Sequence, residues 1–336
     1  MQDTAKNRNA MLISSTDPTF NLALEESLFQ KLNPNSQGIF LLWQNAPSVI
    51  VGRHQNTAEE VSTDYAKVHD IAVVRRMTGG GAVYHDAGNV NFSFLEWRDT
   101  VGSINFHEYL QPIQAALAEL GLDVQFSSRN DLEVEGKKIS GSAQVRKANK
   151  ILHHGTLLIN VNTEVLSQVL TGSPEKYQSK GIASMRARVG NMADFWRKGT
   201  TMQDLYAVLM RHCAQQVIAL PKEFAESAEK LANEKYRTWA WNYGHAPAFT
   251  HSFAKRFAWG KVECCLDVRK GIIQNCQLFG DFFAQQDAQD LETCLLGCEH
   301  RKDAVAERLS ALDMRVYFAG CETPEVVGFF VENMPV

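Results

Sequence analysis

Apolar residues recur at every fourth position after Asp17-Pro18, at Phe20, Leu24, Leu28 and Leu32, and this spacing predicts an amphipathic helix capped by Asp17. Short β-rich runs follow at 39–43, 48–51, 71–74, 91–95 and 124–127, with a pair at 138–145 and 151–161. Helical periodicity interrupts them at 106–120 and 163–170 and then dominates from 201 to 239. No regular strand–helix–strand alternation runs through this order. It predicts an α+β fold, a large domain whose mixed or antiparallel sheet is covered by helices.

The pattern breaks at the stretch 239–247, where Gly244 and Pro247 mark a domain edge. This divides the chain into residues 1–246 and 247–336. Beyond the edge, apolar runs at 262–268 and 272–278 flank Arg269-Lys270-Gly271 as a hairpin would, and helical patterns at 287–296 and 303–312 would cover one face. The tail carries no clustered acid, base or nucleophile and reads as a small α/β accessory domain.

Composition narrows the class. A chain of 336 residues with 45% hydrophobic and 21% charged residues suits one large and one small globular domain and excludes disorder. The net charge of −4 argues against a general nucleic-acid binder. No run of eighteen apolar residues occurs and the first ten residues are polar, so neither a membrane span nor a secretory signal is expected, and the cytoplasm is the expected compartment. Seven cysteines, an odd number, suggest reduced thiols. Cys294 and Cys298 have helical spacing but no nearby histidine pair, so no metal site is expected.

Candidate chemistry starts at Arg75-Arg76-Met77-Thr78-Gly79-Gly80-Gly81-Ala82-Val83-Tyr84-His85-Asp86. A buried strand normally closes with one glycine; three imply that something approaches the main chain closely, and Arg75 and Arg76 would add positive charge for an anion. A tight hairpin with two solvated arginines is the competing reading. The run is neither a Walker A loop, since Ala82 and Val83 follow Gly81, nor a dinucleotide fingerprint, since Tyr84 stands at the third glycine position. Further on, Lys138 opens the small-residue strand Ile139-Ser140-Gly141-Ser142-Ala143, which would leave room for a ligand beside its ammonium. His153 and His154 lie in a strand, so alternation sends one to a pocket and the other elsewhere. Lys180, Arg186 and Arg188 sit in a stretch compatible with a loop closing on an anionic intermediate.

Taken in order, RRMTGGGAVYHD, the Arg129-Asn130-Asp131-Leu132 run, KKISGSA and HHGTLL resemble the lipoate-protein ligase A family. The resemblance extends to Gly52-Arg53-His54-Gln55-Asn56, KGIASMRARV and WAWNYGHAPAF, and so spans about residues 12–260. It implies the biotin/lipoate ligase fold, related to class II synthetases, and an ATP-dependent activation of lipoate to lipoyl-AMP followed by transfer to an acceptor lysine. Lys138 would be the catalytic lysine, placed between carboxylate and α-phosphate. Arg76, Gly81, Ala82, Val83 and Tyr84 would contact ATP or the adenylate, with Mg²⁺ accompanying the pyrophosphate, and Asp131 would contact the adenine of the adenylate or a metal. Gly80, His85 and His154 would contact lipoate, and Trp43, Val83 and one face of the 152–158 strand would form the apolar slot. The implied acceptors are the apo-lipoyl domains of 2-oxoacid dehydrogenase E2 subunits and the glycine cleavage H protein, the implied state is a monomer, and octanoate is an alternative acyl substrate.

Three relatives of that activity stay open at this point. A lipoyltransferase would use preformed lipoyl-AMP. A thioester-forming octanoyltransferase would need a catalytic cysteine, for which only Cys213 is placed outside the tail. Biotin ligases share an Asn-Asp element, but no glycine-arginine loop of their type is present.

Overall fold

The computed structural model describes residues 8–99, 105–127, 130–170, 189–243 and 250–334. Its large sheet runs in the order β11-β1-β2-β6-β10-β9-β8-β7. These strands are β1 (Arg8–Leu12), β2 (Gly38–Trp43), β6 (Asn89–Trp97), β7 (Gln125–Ser127), β8 (Asp131–Val134), β9 (Lys137–Lys147), β10 (Lys150–Leu158) and β11 (Gln216–Val217). β1 pairs in parallel with β2 and β11, whereas β2, β6, β10, β9, β8 and β7 pair antiparallel in turn. A second, three-stranded sheet places β3 (Ser48–Val51) between β4 (Ala72–Arg75) and β5 (Val83–His85). The glycine run is the connection from β4 to β5.

Period-two alternation sorts the large sheet into two faces. Phe40, Leu42, Phe92, Phe94 and Leu157 face α2 (Phe106–Glu119) and α4 (Met202–Cys213), where Leu110, Ile113, Leu117, Leu205 and Leu209 are fully buried. Each such side chain contributes roughly 1.5–3 kcal/mol on leaving water. Leu41, Trp43, Leu95 and Leu152 face α1 (Pro18–Lys31), and α5 (Lys222–Leu231) packs against α1. The helical segment Thr163–Val169, α3, packs beside the three-stranded sheet.

Helix α1 starts where its cap predicts, with the Thr19 amide donating to the Asp17 carboxylate at 2.8 Å. It is not amphipathic. Residues 21 to 29 are all buried, because the sheet lies on one side and α5 with the π-helical turn Ala232–Tyr236 on the other. Its polar side chains therefore find internal partners: Asn21 on the carbonyls of Ser15 and Gln44, Glu26 on Lys235 and Tyr236, and Glu25 on His154 and Ser93. The continuous helical run expected from 201 to 239 is broken too. α4 ends at Cys213, β11 adds to the sheet edge beside β1, and a separate helix α5 follows.

From His251 the chain builds a separate antiparallel sheet of β12 (His251–Phe257), β13 (Gly260–Arg269) and β14 (Ile272–Gly280). Lys270 and Gly271 both adopt positive φ at the expected hairpin tip, as a tight primed turn demands. Helices α6 (Ala288–Leu295), α7 (Lys302–Ser310) and α8 (Thr323–Glu332) cover it around Val262, Leu266, Phe282, Phe318 and Phe329. This unit touches the glycine connection directly: the Gly80 amide donates to the Phe282 carbonyl at 3.2 Å and the Gly280 amide to the His54 carbonyl at 2.7 Å. No described helix is long and apolar enough to cross a membrane.

Candidate functional site

A cavity of about 660 Å³, including its open mouth, lies between the β4–β5 connection and the face of β9 and β10 that carries His154. That volume falls in the range of small-molecule sites. Leu22, Trp43, Ile50 and Val83 make much of its wall apolar, and Arg76, His85, Asn130, Lys138 and His154 bring polar groups to it.

The three glycines serve different neighbours. A Cβ on Gly79 would sit 2.2 Å from the Phe282 carbonyl oxygen, and one on Gly80, at φ 88°, would meet the Phe283 ring at 3.0 Å. The close approach that their sequence implies is made by the C-terminal unit, not by a ligand. Gly81 differs, since nothing lies within 4 Å of where its Cβ would be, and it lines the cavity with Ala82 and Val83. Gly52 closes the packing from below, where a Cβ would fall 1.9 Å from the Gly80 carbonyl oxygen.

The two arginines before the glycines use most of their donors on the backbone. The Arg75 guanidinium points away and donates to the carbonyls of Gly52, Gln55, Trp241 and Asn242 at 2.7–3.3 Å, and to Thr57 Oγ1 at 2.8 Å. Arg76 is fully enclosed and donates to the carbonyls of Ile50, Gly79 and Gly81 and to Thr78 Oγ1. Burial lowers Arg75 to about 9 and Arg76 to about 10, so both stay charged at neutral pH. Arg76 thus shapes the loop that borders the cavity by holding its carbonyls; these bonds use four of its five N–H donors, and the side chain also lines the cavity where contact with ATP is expected.

From Arg76 a buried chain of hydrogen bonds crosses to α1. Thr78 Oγ1 accepts from Arg76 Nε at 2.9 Å and stands 2.8 Å from His154 Nε2, while His154 Nδ1 lies 3.0 Å from a Glu25 carboxylate oxygen. Ser93 donates to that carboxylate at 2.5 Å and accepts from Trp43 Nε1 at 2.8 Å. Both ring nitrogens of His154 are therefore engaged, and it enters the cavity as a fixed wall. His85 is the opposite case. Asn21 donates to Asn45 Oδ1 at 3.0 Å, which turns the Asn45 amide to donate to His85 Nδ1 at 3.1 Å. The proton then sits on His85 Nε2, a buried atom with no protein partner among the described residues. It is a donor available to a ligand oxygen.

Lys138 stands at the mouth with its Nζ 2.8 Å from Asp131 Oδ1 across the β8–β9 pair. Gly141 makes the space, because a Cβ there would lie 3.0 Å from Lys138 Nζ. Asn130 Nδ2 donates to the Ser142 carbonyl at 2.7 Å and ties the approach to β8 against β9. Asp131 itself does not line the cavity but steers the ammonium that does. Tyr84 is also absent from the wall: its side chain is buried with Val49, Val51 and Val161 on the far side of the three-stranded sheet. Lys180, Arg186 and Arg188 lie outside the described residues.

The residue patterns and the family resemblance together expected Lys138, Gly80, Gly81, Ala82, Val83, His85, His154, Trp43 and Arg76 in one site, and all of them line this cavity. They missed Glu25, Asn45, Thr78 and Phe283. A paired Glu25-Glu26 inside an apolar helix was the available signal for the first; Phe283 carried none. No group of three or more His, Cys, Asp or Glu side chains that could hold a metal occurs among the described residues. No carboxylate lines the cavity and Asp131 is engaged by Lys138, so these residues give Mg²⁺ no site of their own. Cys213 is fully buried in the α2–α4 core and its thiol is pushed well up by that burial, which removes it as a nucleophile.

Two buried histidines set an acid limit on the fold. His85 is lowered to about 3 and His153 well below its ordinary 6.5, both first by burial. His153 sits among Phe94, Phe106 and Tyr109 with Nε2 unpaired, so a second ring proton has nowhere to go. The unfolded chain takes up these protons first, so stability is held above pH 6.5 and lost as pH falls below it toward 3. The melting temperature is expected to drop between pH 6.5 and 4, and His153→Leu to flatten that drop; equal slopes in the two proteins would contradict the assignment.

Two family models match the chain. Residues 17–214 match the Lipoyl protein ligase A/B catalytic domain and residues 246–330 the Bacterial lipoate protein ligase C-terminus. Lipoate–protein ligase 1 of Staphylococcus aureus is 41% identical over 93% of this chain and 96% of its own. Among solved structures, P. falciparum LipL1 in complex with lipoate superposes with a TM-score of 0.79 at 26% identity, covering 97% of this chain and 99% of that one. A bipartite lipoate protein ligase studied with its E2 lipoyl domain from Thermoplasma acidophilum gives 0.66 at 29%, covering 73% and 100%. A lipoate-protein ligase A bound with ATP gives 0.61 at 26%, covering 71% and 99%.

Proposed function

The chain belongs to the lipoate-protein ligase family, and from that premise we propose that it activates free lipoate with ATP and transfers the lipoyl group to a lysine of an acceptor protein. Residues 1–246 would form the catalytic domain and 247–336 the accessory domain. The observation that carries the reading is the Lys138 ammonium at the mouth of a largely apolar cavity, beside the bare backbone of Gly81. An acyl chain lies along Leu22, Trp43, Ile50 and Val83, and its carboxylate emerges toward Lys138. The carboxylate oxygen attacks the α-phosphorus of ATP, the α–β bridging bond breaks, and pyrophosphate leaves. Lys138 offsets the charge that gathers on the entering and α-phosphoryl oxygens, a role for which preorganised cations are worth most in a water-poor site. Any Mg²⁺ arrives on the phosphates of ATP. The His85 Nε2–H donates inside the slot, while Arg76, Thr78, His154 and Glu25 hold the loop and sheet in register around it.

In the second step an acceptor ε-amine attacks the acyl carbon and AMP leaves. An amine of pKa near 10.4 is neutral in only about one molecule in a thousand at pH 7, so a cationic mouth that favours the free amine helps. Apo-lipoyl domains of E2 subunits and the glycine cleavage H protein are the proposed acceptors, in line with the E2 domain studied with the archaeal relative. A cysteine thioester route has no support, because Cys213 is sealed in the core. The direct test is lipoate-dependent ATP–pyrophosphate exchange, run beside octanoate and biotin. Exchange with lipoate is the expected result. Transfer from supplied lipoyl-AMP without exchange would make the protein a lipoyltransferase instead.

A further inference from the structure

We infer that Phe283, which comes from the C-terminal unit, is a specificity-determining wall of the acyl cavity. Three observations converge on it. Its ring lines the same cavity as Trp43, Ile50, Val83 and Lys138, although it lies far outside the 17–214 catalytic match. It is only 4% exposed and packs into the core of the large domain, edge-on to Phe106 at 5.2 Å, rather than with the C-terminal core that holds its neighbour Phe282. The main chain on both sides is anchored: the Phe282 carbonyl accepts from Gly80 at 3.2 Å and the Phe283 carbonyl from Ala319 at 2.8 Å.

The glycines record the same fit from the other side. A side chain at Gly79 would collide with the Phe282 carbonyl, and one at Gly80 would press on the Phe283 ring and on Arg76 Nη2 at 3.0 and 3.1 Å. One glycine of the loop thus makes room for the Phe282 carbonyl and the next for the Phe283 ring. Because Leu22, Ile50 and Val83 are aliphatic and Trp43 is an indole, a phenyl ring held between Gly80 and Phe106 limits how wide or long a chain the cavity accepts. The C-terminal unit therefore contributes to the choice of acyl group, not only to the stability of the chain. This rests on the lipoate-activating function proposed above.

The test uses the full-length protein and compares wild type with Phe283→Leu and Phe283→Ala in ATP–pyrophosphate exchange, with lipoate, octanoate and dodecanoate as acids. Phe283→Ala is expected to raise KM for lipoate about tenfold, the scale on which an apolar pocket registers a missing wall, with kcat and KM for ATP changed less than about threefold. Phe283→Leu should recover most of the lipoate KM. The preference for dodecanoate over octanoate should rise in the order wild type, Leu, Ala, a shift that general loosening of the fold would not produce. An unchanged chain-length preference in both variants, or a change confined to ATP, would overturn the inference. Wild type without exchange on any acid would instead remove the functional reading itself.

Discussion

Lys138→Ala is expected to lower lipoate-dependent ATP–pyrophosphate exchange by about a hundred- to a thousandfold, the scale measured for removing one preorganised group from a developing oxyanion. The geometry makes the loss specific. Lys138 is held by Asp131 at 2.8 Å and its side chain is 38% exposed, so the variant should still fold, at a cost of about 1–3 kcal/mol for leaving the buried Asp131 Oδ1 without its partner. Arginine should rescue it poorly, because a planar fork does not place its charge where the compact ammonium stands beside Gly141. Asp131→Asn should be milder, since the ammonium keeps its charge and loses only its tether. Exchange within threefold of wild type in a folded Lys138→Ala protein would remove lysine from the chemistry.

How much of this was legible in the sequence differs from element to element for physical reasons. The start of α1 was clear because a cap and a four-residue spacing are local signals. Its burial on every side was not, because Gln44, His154 and Tyr236, which hold Asn21, Glu25 and Glu26, lie 23, 129 and 210 residues away. β5 and β8 are three and four residues long, too short for a periodicity to show, and they hold Val83, His85 and Asp131 in place. Alternation did separate the two histidines of β10, with His154 on the cavity and His153 in the opposite core. The glycine run announced a close approach, but only tertiary structure identifies Phe282 and Phe283 as what approaches. The same limit explains the arginines. Two adjacent cations beside three glycines look alike in sequence whether they meet a phosphate or a ring of backbone carbonyls.

That distinction has a measurable consequence at Arg75. Arg75→Lys is expected to destabilise the protein by about 3–5 kcal/mol, read as a lower midpoint in urea, because several buried carbonyls lose their donor at once. The guanidinium serves Gly52, Gln55, Trp241 and Asn242 from a single planar fork, and the Arg75 amide and carbonyl are held in turn by Asn242 and the Trp241 indole. These contacts join the turn after β3 to the short helix Trp239–Asn242, which stands at the end of the large domain. A lysine offers three donors around one point and cannot span carbonyls on two segments. Were Arg75 an anion ligand, the conservative charge would preserve stability and the damage would appear in KM for ATP. A structural role makes the opposite pattern: the folded fraction of Arg75→Lys should keep a KM for ATP close to wild type while its unfolding midpoint falls. A stable variant with weakened ATP use would return Arg75 to the binding site.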